Sequence, residues 1–108
     1  MSDQIKPVEI TVRTHDVRVP SGVVMLDGIL SIPSNPVGIV LFAHGFGSSR
    51  HSAHSRFIAR FFNDADISTL LFDLLMDFEV SDPKTNHLRF DLVLLAERLV
   101  DATKWIEK

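Results

Sequence analysis

Within twelve residues, VLFAHGFGSSRH, the chain passes from an apolar run to His44, Gly45, Phe46, Gly47, Ser48, Ser49, Arg50 and His51. Glycines at 45 and 47 let the backbone turn sharply and approach a ligand with no Cβ in the way. Backbone N–H groups in such a turn can converge on one oxygen: an anion, a phosphate, or a charge that develops during reaction. A phosphate loop needs Gly-x-x-x-x-Gly-Lys-Ser/Thr, and the lysine is absent. A dinucleotide fingerprint needs a third glycine where Arg50 stands. What remains is an oxyanion hole for acyl transfer, beside the plainer reading of a strand-to-helix turn that requires glycine. The glycines alone leave both open.

Other groups invite weaker readings. His51 and His54, with His44 nearby, have a spacing that could set two imidazoles on one side of a helix start. No third ligand follows at a motif-like interval, so two surface histidines are favoured and no metal is assigned. Asp73, Asp77, Glu79 and Asp82 could do acid–base work or hold Mg²⁺. Asp73 stands out because it ends an apolar strand. Its plain role is to bond loop backbone or to pair with Arg50 or Arg89. The other acids read as a solvated loop. Cysteine is absent, which excludes thiol catalysis, disulfides and thiolate metal sites. No cofactor is called for.

The elements that must hold these residues follow from periodicity. Residues 8–19 begin with alternation, Val8, Ile10 and Val12 on one face, as in a half-buried strand. Residues 20–22, PSG, read as a turn. Residues 23–32 contain Asp27-Gly28, a hairpin signal, yet Leu26, Gly28, Leu30 and Ile32 keep one face if the strand runs straight. The straight strand is preferred, because a second turn would leave very short arms. Residues 38–44, GIVLFAH, read as a strand buried on both faces. Residues 52–65 show Phe57, Ile58, Phe61, Phe62 and Ala65 at helical spacing, with Ser52 as N-cap. Residues 66–75 form another buried strand, and residues 74–87 an acidic loop. In residues 88–107, Leu88, Leu92, Leu95, Leu99, Ala102 and Ile106 make one stripe of an amphipathic helix. Phe57, Phe61, Phe62, Phe72 and Trp105 are expected in the core. The order predicts an α/β fold: a mixed sheet of about four strands, an antiparallel edge pair plus parallel strands, with two helices.

The segments FAHGFGSSRHS, STLLFDLL and LRFDLVLLAERL, in this order, resemble the amino-terminal half of α/β-hydrolases of the dienelactone hydrolase type. The resemblance covers residues 17–107. It implies that the backbone N–H of Phe46 is one oxyanion donor, with Gly47 shaping the turn. It makes His44 a structural residue at the strand end, and places Arg50 and His51 in the same loop. Ser48 and Ser49 are not nucleophile candidates, since neither lies in Gly-x-Ser-x-Gly, and that pentapeptide is absent from the chain. On this resemblance the sequence stops at DATKWIEK, before the strand that carries the family's nucleophile, and none of the triad is present. The implied activity is ester or lactone hydrolysis on a small acyl substrate, with the 108-residue chain inactive by itself. The alternative is a catalytically silent, truncated module. In either case the third strand would present a bare edge, which predicts pairing with a second copy or with a complementary carboxyl-terminal half.

Length and composition bound these readings. At 108 residues, 45% hydrophobic and 23% charged, the chain fits one globular domain with its first seven residues disordered. A net charge of −3 without basic clusters argues against nucleic acid. The start MSDQIKP lacks a signal-peptide order, and no apolar run approaches the ~20 residues of a membrane span. A soluble, cytoplasmic protein is expected.

Overall fold

A computed structural model of the chain describes residues 11–44 and 50–107. The first seven residues, expected to be disordered, lie outside that range. The described elements are β1 (Val12–Ser21), β2 (Val24–Pro33), β3 (Gly38–His44), α1 (Ala53–Asp64), β4 (Ile67–Asp73), α2 (Asp77–Ser81), a 3-10 turn (Asn86–Phe90) and α3 (Leu92–Ile106). The four strands form one sheet in the order β1-β2-β4-β3. β1 and β4 both run antiparallel to β2, whereas β3 runs parallel to β4. This is the mixed α/β architecture that the element order implied, with an antiparallel pair at one side and a parallel pair at the other.

The hairpin between β1 and β2 closes at Gly22, whose φ of +59° suits a tight two-residue connection and costs glycine little. β2 then runs straight through Asp27-Gly28, as the shared face of Leu26, Gly28 and Leu30 suggested. Gly28 lies opposite Phe72. A Cβ there would stand 3.2 Å from both the Leu71 carbonyl oxygen and the Phe72 Cβ, so this glycine marks a close approach of two strands.

The two helices of more than two turns cover opposite faces. On one, Ala102 of α3 joins Val19, Leu26, Leu70 and Phe72 in a fully buried cluster, with Leu41, Trp105 and Ile106 packed against it. On the other, Asn63 of α1 donates to the Ile67 carbonyl at 2.9 Å and to Thr69 Oγ1 at 3.4 Å. Thr69 and Leu70 are neighbours on β4, so their side chains point to opposite faces. Each large apolar side chain buried in the cluster contributes roughly 1.5–3 kcal/mol.

Several expectations are corrected. β3 is not buried on both faces: it is an edge strand whose exposure ranges from buried at His44 to exposed at Gly38, Ile39 and Ala43. The acidic loop contains α2, and α3 begins at Leu92 rather than at residue 88, with Asp91 accepting from the Leu94 amide at 3.1 Å as its cap. There are therefore three α-helices, not two. Phe57 and Phe61 are not core residues but are 71% and 68% exposed. Leu92 and Leu99 likewise face outward, because α3 turns Arg98 and Ala102 inward. No described helix is long and apolar enough to cross a membrane.

Candidate functional site

β3 and β4 end side by side, with His44 opposite Asp73 in the last parallel pair. The carboxyl ends of parallel strands are where open α/β sheets bind ligands. Gly45, Phe46, Gly47, Ser48 and Ser49, which carry the oxyanion-hole assignment, lie outside the described residues. What the structure does show is how both flanks of that segment are held.

His44 is 7% exposed, and both ring nitrogens are used. Nδ1 lies 3.2 Å from the Phe72 carbonyl oxygen, which only accepts, so Nδ1 donates there. In the neutral ring, Nε2 then accepts from the Ser55 hydroxyl at 2.7 Å. Main-chain closure adds to this: the Leu74 amide donates to the His44 carbonyl at 2.8 Å. On the far flank, the Arg50 amide donates to Asp73 Oδ1 at 3.0 Å, and the Arg50 guanidinium forms an ion pair with Asp73 Oδ2. Both partners are largely shielded, with side-chain exposures of 21% and 15%. Residues 44 and 50 are thus tied to three consecutive positions, Phe72, Asp73 and Leu74. This geometry gives Asp73 the plain role: it is committed to Arg50.

A second layer lies behind the first. Arg98 donates through Nη1 to the Leu74 carbonyl at 2.8 Å, and through Nη1 and Nη2 to Glu79 at 2.6 and 2.8 Å. Glu79 also accepts from the Met76 amide at 2.9 Å. Glu79 and Arg98 are only 4% and 5% exposed. Glu79 was expected in a solvated loop; instead it is the acid of a buried, bidentate pair, which corrects that reading. Hydrogen bonds from Arg98 hold its carboxyl below the ordinary 4.5; burial opposes this, and the Met76 amide and the Arg98 charge reinforce it.

The remaining candidates scatter. His51 and His54 are exposed, and Arg56 Nη2 lies 3.4 Å from His51 Nδ1. Among the described residues no three His, Cys, Asp or Glu side chains converge in a way that could hold a metal. Asp77 and Asp82 are exposed, the latter accepting from the Lys84 amide at 2.9 Å. Sequence reasoning missed Ser55 and Arg98. Ser55 had a visible signal, a hydroxyl in the first turn of a helix that directly follows the histidine strand. Arg98 had none, since a lone arginine on an apolar helix ordinarily reads as surface.

Chemically, Ser55–His44–Phe72 carbonyl is a serine, an imidazole and an orienting acceptor in line. The histidine is buried at a strand end and also fixes the backbone there, which suits a brace more than a base that must exchange protons with substrate.

No family model matches the chain. Two Mycobacterium tuberculosis proteins, from different strains and named provisionally as phosphoribosyl transferases, are 46% identical over 94 residues. The match takes in 87% of this chain but 20% of theirs, so the chain spans about a fifth of the length of these curated relatives. A dienelactone hydrolase of Anabaena variabilis has a solved structure that superposes with a TM-score of 0.79 at 50% identity, over 87% of this chain and 44% of that one. Est1E of Butyrivibrio proteoclasticus has the same fold at 14% identity, with a TM-score of 0.67 over 86% of this chain and 35% of its own. A cold-adapted esterase from an Arctic intertidal metagenomic library also does, at 16% identity and a TM-score of 0.64, over 95% of this chain and 47% of its own.

Proposed function

Because the chain belongs to the α/β-hydrolase superfamily and is dienelactone hydrolase-like over the stretch it spans, we propose that it is the oxyanion-side portion of a serine-type hydrolase. It would act on small ester, lactone or related acyl substrates. The backbone N–H of Phe46 would receive the developing oxyanion, with Gly47 shaping the bend. Nucleophile, acid and base would come from polypeptide outside these 108 residues, where a Gly-x-Ser-x-Gly turn could follow a further strand. The observation that carries this reading is the double anchorage of His44 and Arg50 to Phe72, Asp73 and Leu74. Such fixed ends are what a preorganised donor needs, because a donor that must reorganise during reaction loses most of its worth.

The name of the mycobacterial relatives raises phosphoribosyl transfer as a second activity. A match that likewise takes in 87% of this chain is 50% identical to a dienelactone hydrolase, whereas four-fifths of each mycobacterial relative lies outside its match. We therefore attribute that name to the part of those chains that lies outside the match.

The assay is hydrolysis of a p-nitrophenyl ester. The 108-residue chain alone should give no turnover above a heat-inactivated control. A fluorophosphonate probe should leave Ser48, Ser49 and Ser55 unlabelled. In a chain completed by the part of the Anabaena enzyme that this one does not match, Phe46→Pro removes one N–H. It should lower kcat by about 10²–10³, whereas Phe46→Ala keeps the N–H and should cost far less. Equal losses for proline and alanine would remove Phe46 from the oxyanion hole. Labelling of Ser55 would make the chain an enzyme in its own right.

The edge position of β3 favours a second reading, a silent module that associates through that edge with a second copy or a complementary half. In a parallel strand alternate N–H groups point away from the bonded neighbour, so about half the amides of β3 face outward. Amide exchange that slows at those positions as concentration rises would favour this reading. Concentration-independent, fast exchange there would dismiss it.

A further inference from the structure

The outer faces of α1 and α3 are apolar and carry charges in matching order. On α1, Phe57 and Phe61 stand 71% and 68% exposed beside Ile58. On α3, Leu92, Val93, Ala96 and Val100 form an open apolar patch bordered by Glu97 and Asp101. Along α1 the charges run Arg56, Arg60, Asp64, in steps of four. Along α3 they run Glu97, Asp101, Lys104, in steps of four and three. At 1.5 Å per residue these triplets span about 12 Å and about 10.5 Å, so they come into register when the helices lie parallel. Arg56 then meets Glu97, Arg60 meets Asp101, and Asp64 meets Lys104: plus, plus, minus against minus, minus, plus. An antiparallel arrangement would instead set Arg56 against Lys104. Among the described residues Arg60, Asp64, Glu97 and Lys104 have no ion-pair partner, and Asp101 accepts from the Ser21 hydroxyl at 2.7 Å through Oδ2, which leaves Oδ1 for Arg60.

We propose that α1 of one copy docks, parallel, against the apolar patch of α3 on a second copy. Phe57 and Phe61 fill the space beside Ala96 and Val100, and the three charge pairs set the register. Because α1 and α3 cover opposite faces of the sheet, each copy offers one surface of each kind. The contact is heterologous, and it propagates from copy to copy instead of closing as a two-fold dimer. It is separate from the β3 edge and does not depend on any catalytic role.

Sedimentation velocity over a wide concentration range, at low and high salt, tests this on the 108-residue chain. The expected result is growth beyond the dimer, weakened by salt. Arg56→Glu and Glu97→Arg should each weaken association by about three- to tenfold, and the two together on one chain should restore it. The pair Asp64→Lys and Lys104→Glu gives an independent cycle should one variant of the first fold poorly, with circular dichroism as the folding control. A chain that stays monomeric at every concentration overturns the proposal. So does assembly that stops at a dimer, or that is unmoved by every charge reversal.

Discussion

Replacing one member of the Glu79–Arg98 pair should cost most of the stability of this fold. The two side chains are 4% and 5% exposed, and their bidentate contact is supplemented by the Met76 amide and the Leu74 carbonyl. Glu79→Leu leaves a guanidinium buried with a single carbonyl acceptor. Arg98→Met leaves a carboxylate with a single amide donor. Breaking a buried pair from one side costs about 3–5 kcal/mol. For a domain of this size that is a fall in Tm on the order of 15–30 °C. The double variant removes both charges, so its loss should be smaller than that of either single variant. Urea unfolding followed by the fluorescence of Trp105, with the midpoint compared at constant slope, measures all three. The pair also dictates a pH dependence. The folded carboxyl of Glu79 lies below its ordinary 4.5, so its stabilisation is complete above that value and is lost as pH falls through the lowered folded value. The urea midpoint of the native sequence should therefore drop on acidification below about pH 4.5, and part of that drop should vanish in Glu79→Leu. Single variants that each lose less than about 1 kcal/mol would refute the reasoning, since that is the behaviour of a solvated surface pair.

Three further perturbations test the braces around the site. His44→Phe keeps an aromatic ring but leaves the Phe72 carbonyl and the Ser55 hydroxyl without their partner; about 1–3 kcal/mol should be lost per group that stays dry, read by thermal melting. Gly28→Ala puts a Cβ against the Leu71 backbone oxygen and should cost about 1–3 kcal/mol by overpacking, although alanine ordinarily stabilises a strand relative to glycine. Asp73→Asn cancels the charge opposite Arg50 while keeping an acceptor for its amide. It should lower the midpoint by roughly 1–3 kcal/mol and speed exchange of the Arg50 amide, whereas an unchanged exchange rate would show that the ion pair does not hold that flank.

The strands were the legible part of the chain, because β-branched and alternating residues report directly on a pleated surface. β2 could be followed through Asp27-Gly28 on the strength of one period-2 face, but the reason for its glycine, room beside β4, lies in a strand some forty positions further along the chain. Helix α1 was legible as a helix but not in its orientation. Six apolar residues among positions 57–65 cover too wide an arc to say which side faces the sheet, and the one that does is marked by Ala59 and Asn63. Residues 74–91 were the least legible. Their acids suggested solvent, yet Glu79 is buried by an arginine nineteen positions away that no local pattern connects to it. At the candidate site, the glycine turn and Asp73 were visible as residue types, and Arg50 was one of the two partners foreseen for Asp73; Ser55, the partner of His44, was not foreseen.

The strand order also dictates when the sheet can be finished. β4 lies between β2 and β3, yet it is the last of the four to leave the ribosome. The β1–β2 hairpin can close early, since its arms are adjacent in the chain. β3 has no partner until residues 67–73 arrive, and in the interval its run of Ile39, Val40, Leu41 and Phe42 travels unpaired. Long-range pairings of this kind slow folding and prolong the time during which an apolar strand is open to aggregation. Synthesis of this chain is thus exposed to a window, between the emergence of Phe42 and that of Asp73, in which a holding chaperone would protect the strand that later carries the histidine brace.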